Sequence, residues 1–435
     1  MSFLNLKHTT PQSALATHAA ITAAIAGYPL LESLRTCRLQ TGNGDAHDYG
    51  RAPFNVLGHS DHRWTDRDRD IVTPANDLLY TNAWLDLRTG PVVINVPRQT
   101  GRYFVLQLLD MWTNNFFNIG IRNTPSEGGC FALLGPGMPE SSAPVGTVAV
   151  KCPTSLVWLL GRVLVDSEDD LTAAREFQGG FSVEAEPLPA PPASVAKWQS
   201  EGDDPALIFF ANLSRALADF PPPPSQQGVF TMLSGSVHVK LGEVDALTNL
   251  RSAAIEGLRQ GHSAAMAMIE GYSTSPSKAA WRCSTRLGRY GDDLMLRAST
   301  AFKGLGALSA SEALYLMSDH DCDGQPLHGS NVYRLRFEDG GNLPADAFWS
   351  VTLYGEDRYL VANKLQRHSL GNRSDLQLGN DGALELMVSR DQPPGPEKNW
   401  LPAPDGHFYL ILRLYHPQAQ VLKGQYHFPD LERIA

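Results

Sequence analysis

Two long β-type runs near the C-terminus constrain the fold most strongly. The first, AFWSVTLY, covers residues 347–354, and the second, HFYLILRLY, covers residues 407–415. Successive side chains of a strand point to opposite faces, so each run has two distinct sides. One side of each run is wholly apolar, and its members are Trp349, Val351, Leu353, Phe408, Leu410, Leu412 and Leu414. The pattern predicts two strands of a sheet that pack this side into a core.

The opposite side of the same two runs mixes aromatic rings, hydroxyls and one guanidinium. Its members are Phe348, Ser350, Thr352, Tyr354, Tyr409, Ile411, Arg413 and Tyr415. A solvent-facing strand usually carries Lys, Glu and Thr instead. An arginine among phenols indicates the lining of a semi-buried pocket. The alternative is a plain sandwich whose outer face is aromatic.

Length and composition narrow the class of protein. A chain of 435 residues predicts two or three domains, and 43% apolar with 19% charged residues is typical of globular proteins. The net charge of -10, without a basic stretch, disfavours nucleic acid and anionic membranes as partners. The N-terminus lacks a basic segment leading into an apolar run, so we expect no signal peptide, no membrane span and a cytoplasmic location. Five widely spaced cysteines without a CxxC favour reduced thiols.

Strand and helix patterns alternate in blocks along the chain. Strands are predicted at 79–87, 91–96, 103–112, 130–134 and 155–165, and they return from 331 onward. Helical spacing occupies 17–34, with a break near Pro29, and then 171–177, 204–219, 243–272 and 290–305. The predicted domains are a helical segment (1–39), a β-sandwich (40–168), a helical and Pro-rich linking region (169–310) and a second β-sandwich (311–435).

Each β block contains a late strand with one arginine among aliphatic residues. Arg162 lies in LLGRVLV and Arg413 lies in LILRLY. Two tandem copies of one β-module would explain this similarity, and chance similarity between two sheets would explain it equally well.

Several long segments resemble a known family. PANDLLYTNAWLDL, GPVVINVPRQTGRYFVLQLLDMWTNNF and ALLGPG resemble the N-terminal module of the DUF1254 family. RYGDDLMLRASTAFKGLGAL, DCDGQPLHGSNVYRLRF, AFWSVTLYGEDRYLVAN and NWLPAPDGHFYLILRLY resemble its companion module, DUF1214. The resemblance covers roughly residues 25–165 and 285–430.

The resemblance implies a fold and leaves the function open. It implies an α+β, mainly β architecture of two antiparallel, jelly-roll-like β-sandwich domains with a helical segment between them. Most members of the family begin with a secretion or lipoprotein signal, which we do not find here. The chain also reads Asn-Asp-Leu-Leu-Tyr where the family often has Asn-x-Asp-Thr-Leu-Tyr.

Three residues are candidates for catalysis. Arg413 within a strand of Leu and Tyr needs an anion, either a substrate carboxylate or a protein carboxylate such as Asp110 or Asp346. Asp110 shares a predicted strand face with Leu and Trp side chains and is a candidate acid or base, or else a cap of the turn that follows. The phenol of Tyr354 is a candidate proton donor, or else a packing group.

Further residues are predicted to bind the substrate. They are Tyr80, Trp112, Asn114, Arg162, Trp349, Thr352, Tyr409 and Tyr415. Neither a nucleophile motif nor a dinucleotide fingerprint is found, so we expect no cofactor. His59 and His62 lie three residues apart in a turn-rich stretch, too few for a predicted metal site.

These observations lead to one functional hypothesis and two rivals. The hypothesis is a cofactor-independent enzyme of small-molecule metabolism that acts on a largely apolar substrate with a carboxylate or carbonyl. Hydrolysis, elimination, isomerisation and cyclisation all remain open. The rivals are a non-catalytic small-molecule-binding or assembly module and a metal-dependent enzyme using His59 and His62. Homo-oligomerisation is left open.

Overall fold

The computed structural model describes residues 10–42, 50–187, 190–200, 202–243, 247–272 and 281–435. Within these ranges the strands form two five-stranded and two four-stranded sheets. The strands of the first half are β1 (Gly58–His59), β2 (Leu78–Asp86), β3 (Val92–Val96), β4 (Phe104–Leu109), β5 (Asn115–Gly120), β6 (Gly129–Leu134), β7 (Val148–Lys151), β8 (Leu156–Leu164) and β9 (Ser182–Glu184). Those of the second half are β10 (Arg282–Cys283), β11 (Ala313–Ser318), β12 (Tyr333–Phe337), β13 (Ala345–Gly355), β14 (Ser369–Gly371), β15 (Leu384–Ser389), β16 (Trp400–Pro402), β17 (Phe408–Pro417) and β18 (Leu431–Arg433).

The two halves have the same sheet topology. In the first, the sheets have the orders β1-β2-β8-β4-β5 and β7-β6-β3-β9. In the second they are β10-β11-β17-β13-β14 and β16-β15-β12-β18, which is the first pattern with nine added to every strand number. The parallel pair falls at the same place in each half, as β6–β7 and β15–β16. This correspondence supports the tandem-module explanation over chance similarity, and we call the halves the first and second modules.

Each module is a sandwich with its own core. In the second module, the inward side chains of β11, β13 and β17 meet those of β12 and β15. This core contains all seven residues of the apolar side predicted from the two C-terminal runs. The first module builds the equivalent core from β2, β4 and β8 against β3 and β6. The predicted α+β fold of two sheet-rich domains with helices between them is therefore confirmed.

A third core joins the modules to the helices. The helices are α1 (Pro11–Thr41), α2 (Leu171–Gly179), α3 (Ala193–Ala196), α4 (Pro205–Asp219), α5 (Gln227–Val237), α6 (Ser252–Gly271), α7 (Leu294–Gly304) and α8 (Ala419–Leu422). The third core contains buried residues of α1, α4, α5, α6 and α7 together with the outward faces of β2, β4 and β8. Phe348 and Tyr415 extend it to the second module.

Small residues bring α1 and α6 into close contact. A Cβ built at Gly261 would lie 2.4 Å from the Ala20 Cβ, and one at Gly257 would lie 2.5 Å from the Ala16 Cβ. The alanine-rich face of α1 therefore serves as a helix-packing surface. By length and composition α1 could also cross a membrane, but 67% of its most apolar window is buried inside the protein.

Helices α1 and α5 differ from what the sequence predicts. Helix α1 continues through Pro29, where the sequence predicted a break. Its packing against five other helices, α3 to α7, outweighs the loss of the backbone hydrogen bond that a proline removes. Helix α5 was not predicted, because its sequence QGVFTMLSGSV combines two glycines with serine and β-branched residues of low helix propensity.

Candidate functional site

A cavity of about 680 Å³ lies between the five-stranded sheets of the two modules. Its strand-borne lining includes Tyr80, Leu160 and Arg162 from the first module and Tyr315, Ile411 and Arg413 from the second. Helix α7 and the segments that precede β2 and β11 supply much of the remaining wall. We call this space, defined by these six residues, the two-arginine cavity.

The two arginines occupy equivalent positions in the two modules. Arg162 on β8 is paired in register with Tyr80 on β2, and its guanidinium carbon lies 5.8 Å from the centre of that ring. Arg413 on β17 is paired in register with Tyr315 on β11, at 5.7 Å. Strands β2 and β8 correspond to β11 and β17 in the duplicated topology, so the two Arg–Tyr pairs are related by the duplication.

The strand on the other side of each arginine supplies an equivalent hydrogen bond. Arg162 donates from Nη1 to Gln107 Oε1 on β4, at 2.7 Å. Arg413 donates from Nη1 to Thr352 Oγ1 on β13, at 3.1 Å. Each acceptor lies two residues beyond the residue paired with its arginine, which is Val105 or Ser350. The neighbouring strands thus hold both guanidinia at the same place.

Each arginine also reaches into the opposite module. Arg162 donates from Nη2 to the Gly306 carbonyl, in the segment before β11, at 2.9 Å. Arg413 donates from Nη2 to the Thr73 carbonyl, in the segment before β2, at 2.7 Å. These reciprocal contacts are what an approximate twofold relation between the modules requires.

The same two segments orient the tyrosines. The Ala75 N–H donates to the Tyr80 hydroxyl at 2.8 Å. The Leu308 N–H donates to the Tyr315 hydroxyl at 3.1 Å. Each Arg–Tyr pair is therefore held by backbone groups from both modules, and a rigid site results.

The inner part of the cavity carries buried positive charge. Arg162 is 6% exposed and Arg413 is 3% exposed, and a guanidinium stays charged even when buried. Within the described part of the chain, neither guanidinium forms an ion pair with a carboxylate. The carboxyl group of Asp77 interacts electrostatically with Arg413, but at a longer distance than an ion pair. Burial raises the pKa of Asp77, and the Ser350 hydroxyl and the charge of Arg413 oppose that rise only in part.

The outer part of the cavity is more polar and more exposed. Asp319 accepts from Arg282 Nη1 at 2.6 Å and lies 2.5 Å from His320 Nδ1, and all three residues line the cavity. Lys303 donates to the Tyr272 carbonyl at 2.6 Å, and burial lowers the pKa of its amine. The lining also includes the apolar side chains of Leu160, Leu296, Phe302, Leu305 and Ile411.

Seven residues predicted from sequence lie at or directly behind this cavity. Tyr80, Arg162, Tyr409, Arg413 and Tyr415 line it, and Thr352 holds Arg413. Tyr354 lies behind the lining, with its ring centre 5.5 Å from the Arg413 guanidinium carbon. Its hydroxyl donates to the Pro74 carbonyl at 2.5 Å, and burial raises the pKa of the phenol. Their roles in binding and catalysis stay predictions.

Four predicted residues lie elsewhere. Asp110, Trp112 and Asn114 belong to the turn between β4 and β5, where Asp110 accepts from the Asn114 backbone N–H at 2.9 Å and from its side chain at 2.8 Å. Trp112 packs against Phe230 in the helical core. The contacts of Asp110 are those of the turn cap that we gave as the alternative to an acid or base.

Trp349 is the fourth of these residues. It belongs to the core of the second sandwich and donates from Nε1 to the Gly341 carbonyl at 2.8 Å. Asp346, considered as a partner of an arginine, accepts instead from Gln418 at 2.8 Å. Neither Asp110 nor Asp346 therefore neutralises the arginines of the cavity.

Sequence reasoning missed Tyr315, Gln107 and the two carbonyls of Thr73 and Gly306. Tyr315 occupies the position in the second module that Tyr80 occupies in the first, so aligning the two modules strand by strand would have identified it. A backbone carbonyl carries no residue-specific signal, so the contacts made by Thr73 and Gly306 are visible only in the folded structure.

The two histidines of the metal hypothesis have separate partners. His59 Nδ1 lies 3.0 Å from Thr81 Oγ1, and burial lowers the pKa of its imidazole. His62 Nε2 lies 3.0 Å from Asp68 Oδ1 and its Nδ1 lies 2.8 Å from Asp61 Oδ1. Among the described residues, no group of three or more metal-ligating side chains is assembled.

Comparisons with known proteins agree with this architecture. Residues 54–185 match the family described as protein of unknown function DUF1254, and residues 312–419 match the one described as protein of unknown function DUF1214. The matched segments fall in the first and second modules, respectively. The chain therefore belongs to the DUF1254/DUF1214 family.

Solved structures supply the fold-level comparison. The VPA0106 protein from Vibrio parahaemolyticus is 23% identical, with a TM-score of 0.69 over 97% of this chain and 100% of its own. An uncharacterised protein from Burkholderia cenocepacia is 11% identical, with a TM-score of 0.48 over 97% of this chain and 94% of its own. No curated protein matches the sequence. The likeness to the Vibrio protein supports the fold and says nothing of function.

Proposed function

We propose that this protein binds a small, largely apolar carboxylic acid in the two-arginine cavity. The observation that carries the proposal is the pair of buried guanidinia, Arg162 and Arg413, that line the cavity without an ion-pair partner among the described residues. A buried charge costs several kcal/mol unless an opposite charge and hydrogen bonds compensate it. A ligand carboxylate would supply both.

The hydrogen bonds within the protein leave room for such a ligand. Each guanidinium uses its Nη1 and Nη2 for one neutral acceptor each, as described above, and an arginine has further N–H donors. Bidentate contact with a carboxylate or another planar oxyanion uses donors of this kind. The bonds to Gln107, Gly306, Thr352 and Thr73 would then serve to hold the guanidinia in place.

The wall of the cavity favours an apolar ligand body. Leucine, isoleucine and phenylalanine side chains line the cavity together with the arginines. A volume of about 680 Å³ falls within the usual range for small-molecule sites. An acid with an aliphatic or aromatic body would match both the arginines and the apolar lining of this cavity.

Turnover of the bound acid is the second candidate function, and the Asp319–His320 pair at the rim favours it. An imidazole held by a carboxylate at 2.5 Å is an arrangement suited to a general base. Tyr354 and Asp110 are less suited to this role, because the first already donates to Pro74 and the second caps a turn outside the cavity. Loss of turnover in His320→Asn with unchanged binding would identify the base.

Calorimetry with decanoate, methyl decanoate and decanol tests the binding proposal. We expect decanoate to bind at least about tenfold more tightly than the ester or the alcohol, since a hydrogen bond to a charged group is worth about 1.5–3 kcal/mol. The double variant Arg162→Gln/Arg413→Gln should lose that preference. Arg390→Gln, at a half-exposed surface ion pair, is the matched control and should retain it. Equal affinity of the wild type for acid and ester would contradict the proposal.

A further inference from the structure

We propose that the ligand carries two acidic groups, one for each guanidinium, joined by an apolar body. This inference rests on the proposed function and narrows it from carboxylic acids to dicarboxylic acids. It is based on the duplication of the site, whereas the binding of one carboxylate requires only one guanidinium.

The first step is that the cavity contains two complete anion positions. Each consists of an arginine, a tyrosine paired with it in register, and a polar acceptor on the neighbouring strand. Each is completed by a carbonyl from the opposite module, at Gly306 or Thr73. No component is shared between the two sets, so either position can hold an anion by itself.

The second step concerns what lies beside the arginines. Leu160 and Ile411 both line the cavity, and each precedes its arginine by two residues on the same strand face. They are therefore also related by the duplication. An apolar pair next to two charged positions matches a ligand with an acidic group at each end and an aliphatic or aromatic middle.

The third step is the charge balance. A monoacid would neutralise one guanidinium and leave the other buried without a counter-ion, which is unfavourable. Asp77 interacts with Arg413 at a longer range than an ion pair and offsets part of its charge, whereas Arg162 forms no ion pair with a carboxylate in the described ranges. A diacid would neutralise both positions, and the position at Arg162 would be the stronger.

Calorimetry with a series of diacids, from hexanedioate to tetradecanedioate, and their monomethyl esters tests this inference. In the wild type, we expect the best diacid to bind about 10- to 100-fold more tightly than its monoester. We also expect the affinity to pass through a maximum at one chain length, because two fixed guanidinia define one span. This length dependence needs no variant and so does not depend on the folding of a mutant.

Variants then separate this inference from the proposed function. Arg162→Gln and Arg413→Gln should each reduce diacid affinity to the level of the monoester. Either variant should lower monoester affinity only a few-fold, with Arg162→Gln the larger effect, because the other guanidinium remains.

Two results would overturn the proposals, and they are distinguishable. If both single variants reduce monoester and diacid affinity equally, the two guanidinia share one anion and the dicarboxylate inference fails while the binding proposal stands. If neither acids nor esters of the series bind to the wild type, the binding proposal itself fails.

Discussion

The buried carboxylate of Glu312 joins the two modules, and replacing it gives a measurable stability change. Glu312 is 2% exposed and accepts from the Tyr103 hydroxyl at 2.9 Å. Its Oε1 also lies 2.9 Å from His416 Nε2, and Oε2 forms an ion pair with Arg122. Tyr103 and Arg122 belong to the first module, whereas Glu312 and His416 belong to the second. The cluster therefore fixes the two modules beside the cavity.

The expected cost of Glu312→Gln follows from these contacts. Removing one partner of a buried ion pair typically costs about 3–5 kcal/mol. Gln retains an oxygen for Tyr103, and the side chain of Arg122 is 49% exposed and can be hydrated. We therefore expect a lower cost, about 2–3 kcal/mol. Tyr103→Phe is the matched control, because it removes one hydrogen bond and should cost about 1 kcal/mol.

The effect also has a predicted pH dependence. Burial works to raise the pKa of Glu312, but the hydrogen bond from His416 and the charge of Arg122 outweigh it, so the pKa lies below its ordinary value. A lowered folded-state pKa gives stability that is present above about pH 4.3 and is lost as the pH falls through the folded-state value. The difference between wild type and Glu312→Gln should therefore shrink in acid.

Urea denaturation followed by tryptophan fluorescence, at pH 7 and at decreasing pH, measures both effects. A cost for Glu312→Gln no larger than that of Tyr103→Phe would refute the role of the carboxylate. A difference that is constant from pH 7 into the acid range would refute the titration argument.

Three further predictions concern packing, charge and binding. Gly261→Ala should destabilise the protein by about 1–3 kcal/mol, because the new Cβ would lie 2.4 Å from that of Ala20. Gly235→Ala is the control: a Cβ there would meet nothing within 4 Å, so the variant should stabilise α5 by about 0.5–1 kcal/mol. Equal effects of the two substitutions in urea denaturation would contradict this prediction. The hydrogen bond with Asp68 raises the pKa of His62 to about 9, so its stabilisation is fully present below about pH 6.5 and is lost as the pH rises through about 9. His62→Asn should abolish that loss in thermal melts between pH 6 and 10, and parallel curves would refute it. Asp77→Asn removes a negative charge near Arg413 and should tighten decanoate binding a few-fold in calorimetry, whereas weaker binding would contradict the charge balance.

The sequence predicted the β architecture well where alternation was strong. The two C-terminal runs pair as β13 and β17, with Trp349 opposite Leu414 and Val351 opposite Leu412. The mixed face points inward, since Arg413 is 3% exposed and Tyr354 is fully buried. Both arginines of the cavity were predicted, because a charged side chain among aliphatic residues is a strong local signal.

The prediction for Asp110 depended on the length of one strand. The sequence predicts one continuous strand over residues 103–112, which would place Asp110 on the face of Leu106 and Leu108. Strand β4 ends at Leu109, and a turn follows in which Thr113 has a φ of 66°. Side chains alternate between two faces only within a strand, so this pattern does not predict the direction of Asp110 or Trp112, which lie beyond the end of β4.

The partners of the two arginines could not be predicted. Gly306 and Thr73 contact them through backbone carbonyls from the opposite module, and such contacts depend on how the modules pack. Alternation within one strand carries no information about that packing.

A crystal structure with 11-bromoundecanoic acid tests the central claim most directly, since the anomalous signal of bromine locates the ligand. The account predicts bromine inside the two-arginine cavity and a carboxylate oxygen about 3 Å from a guanidinium nitrogen of Arg162 or Arg413. A carboxylate bound at Lys303 or Arg282 on the rim, or a ligand outside the cavity, would contradict it.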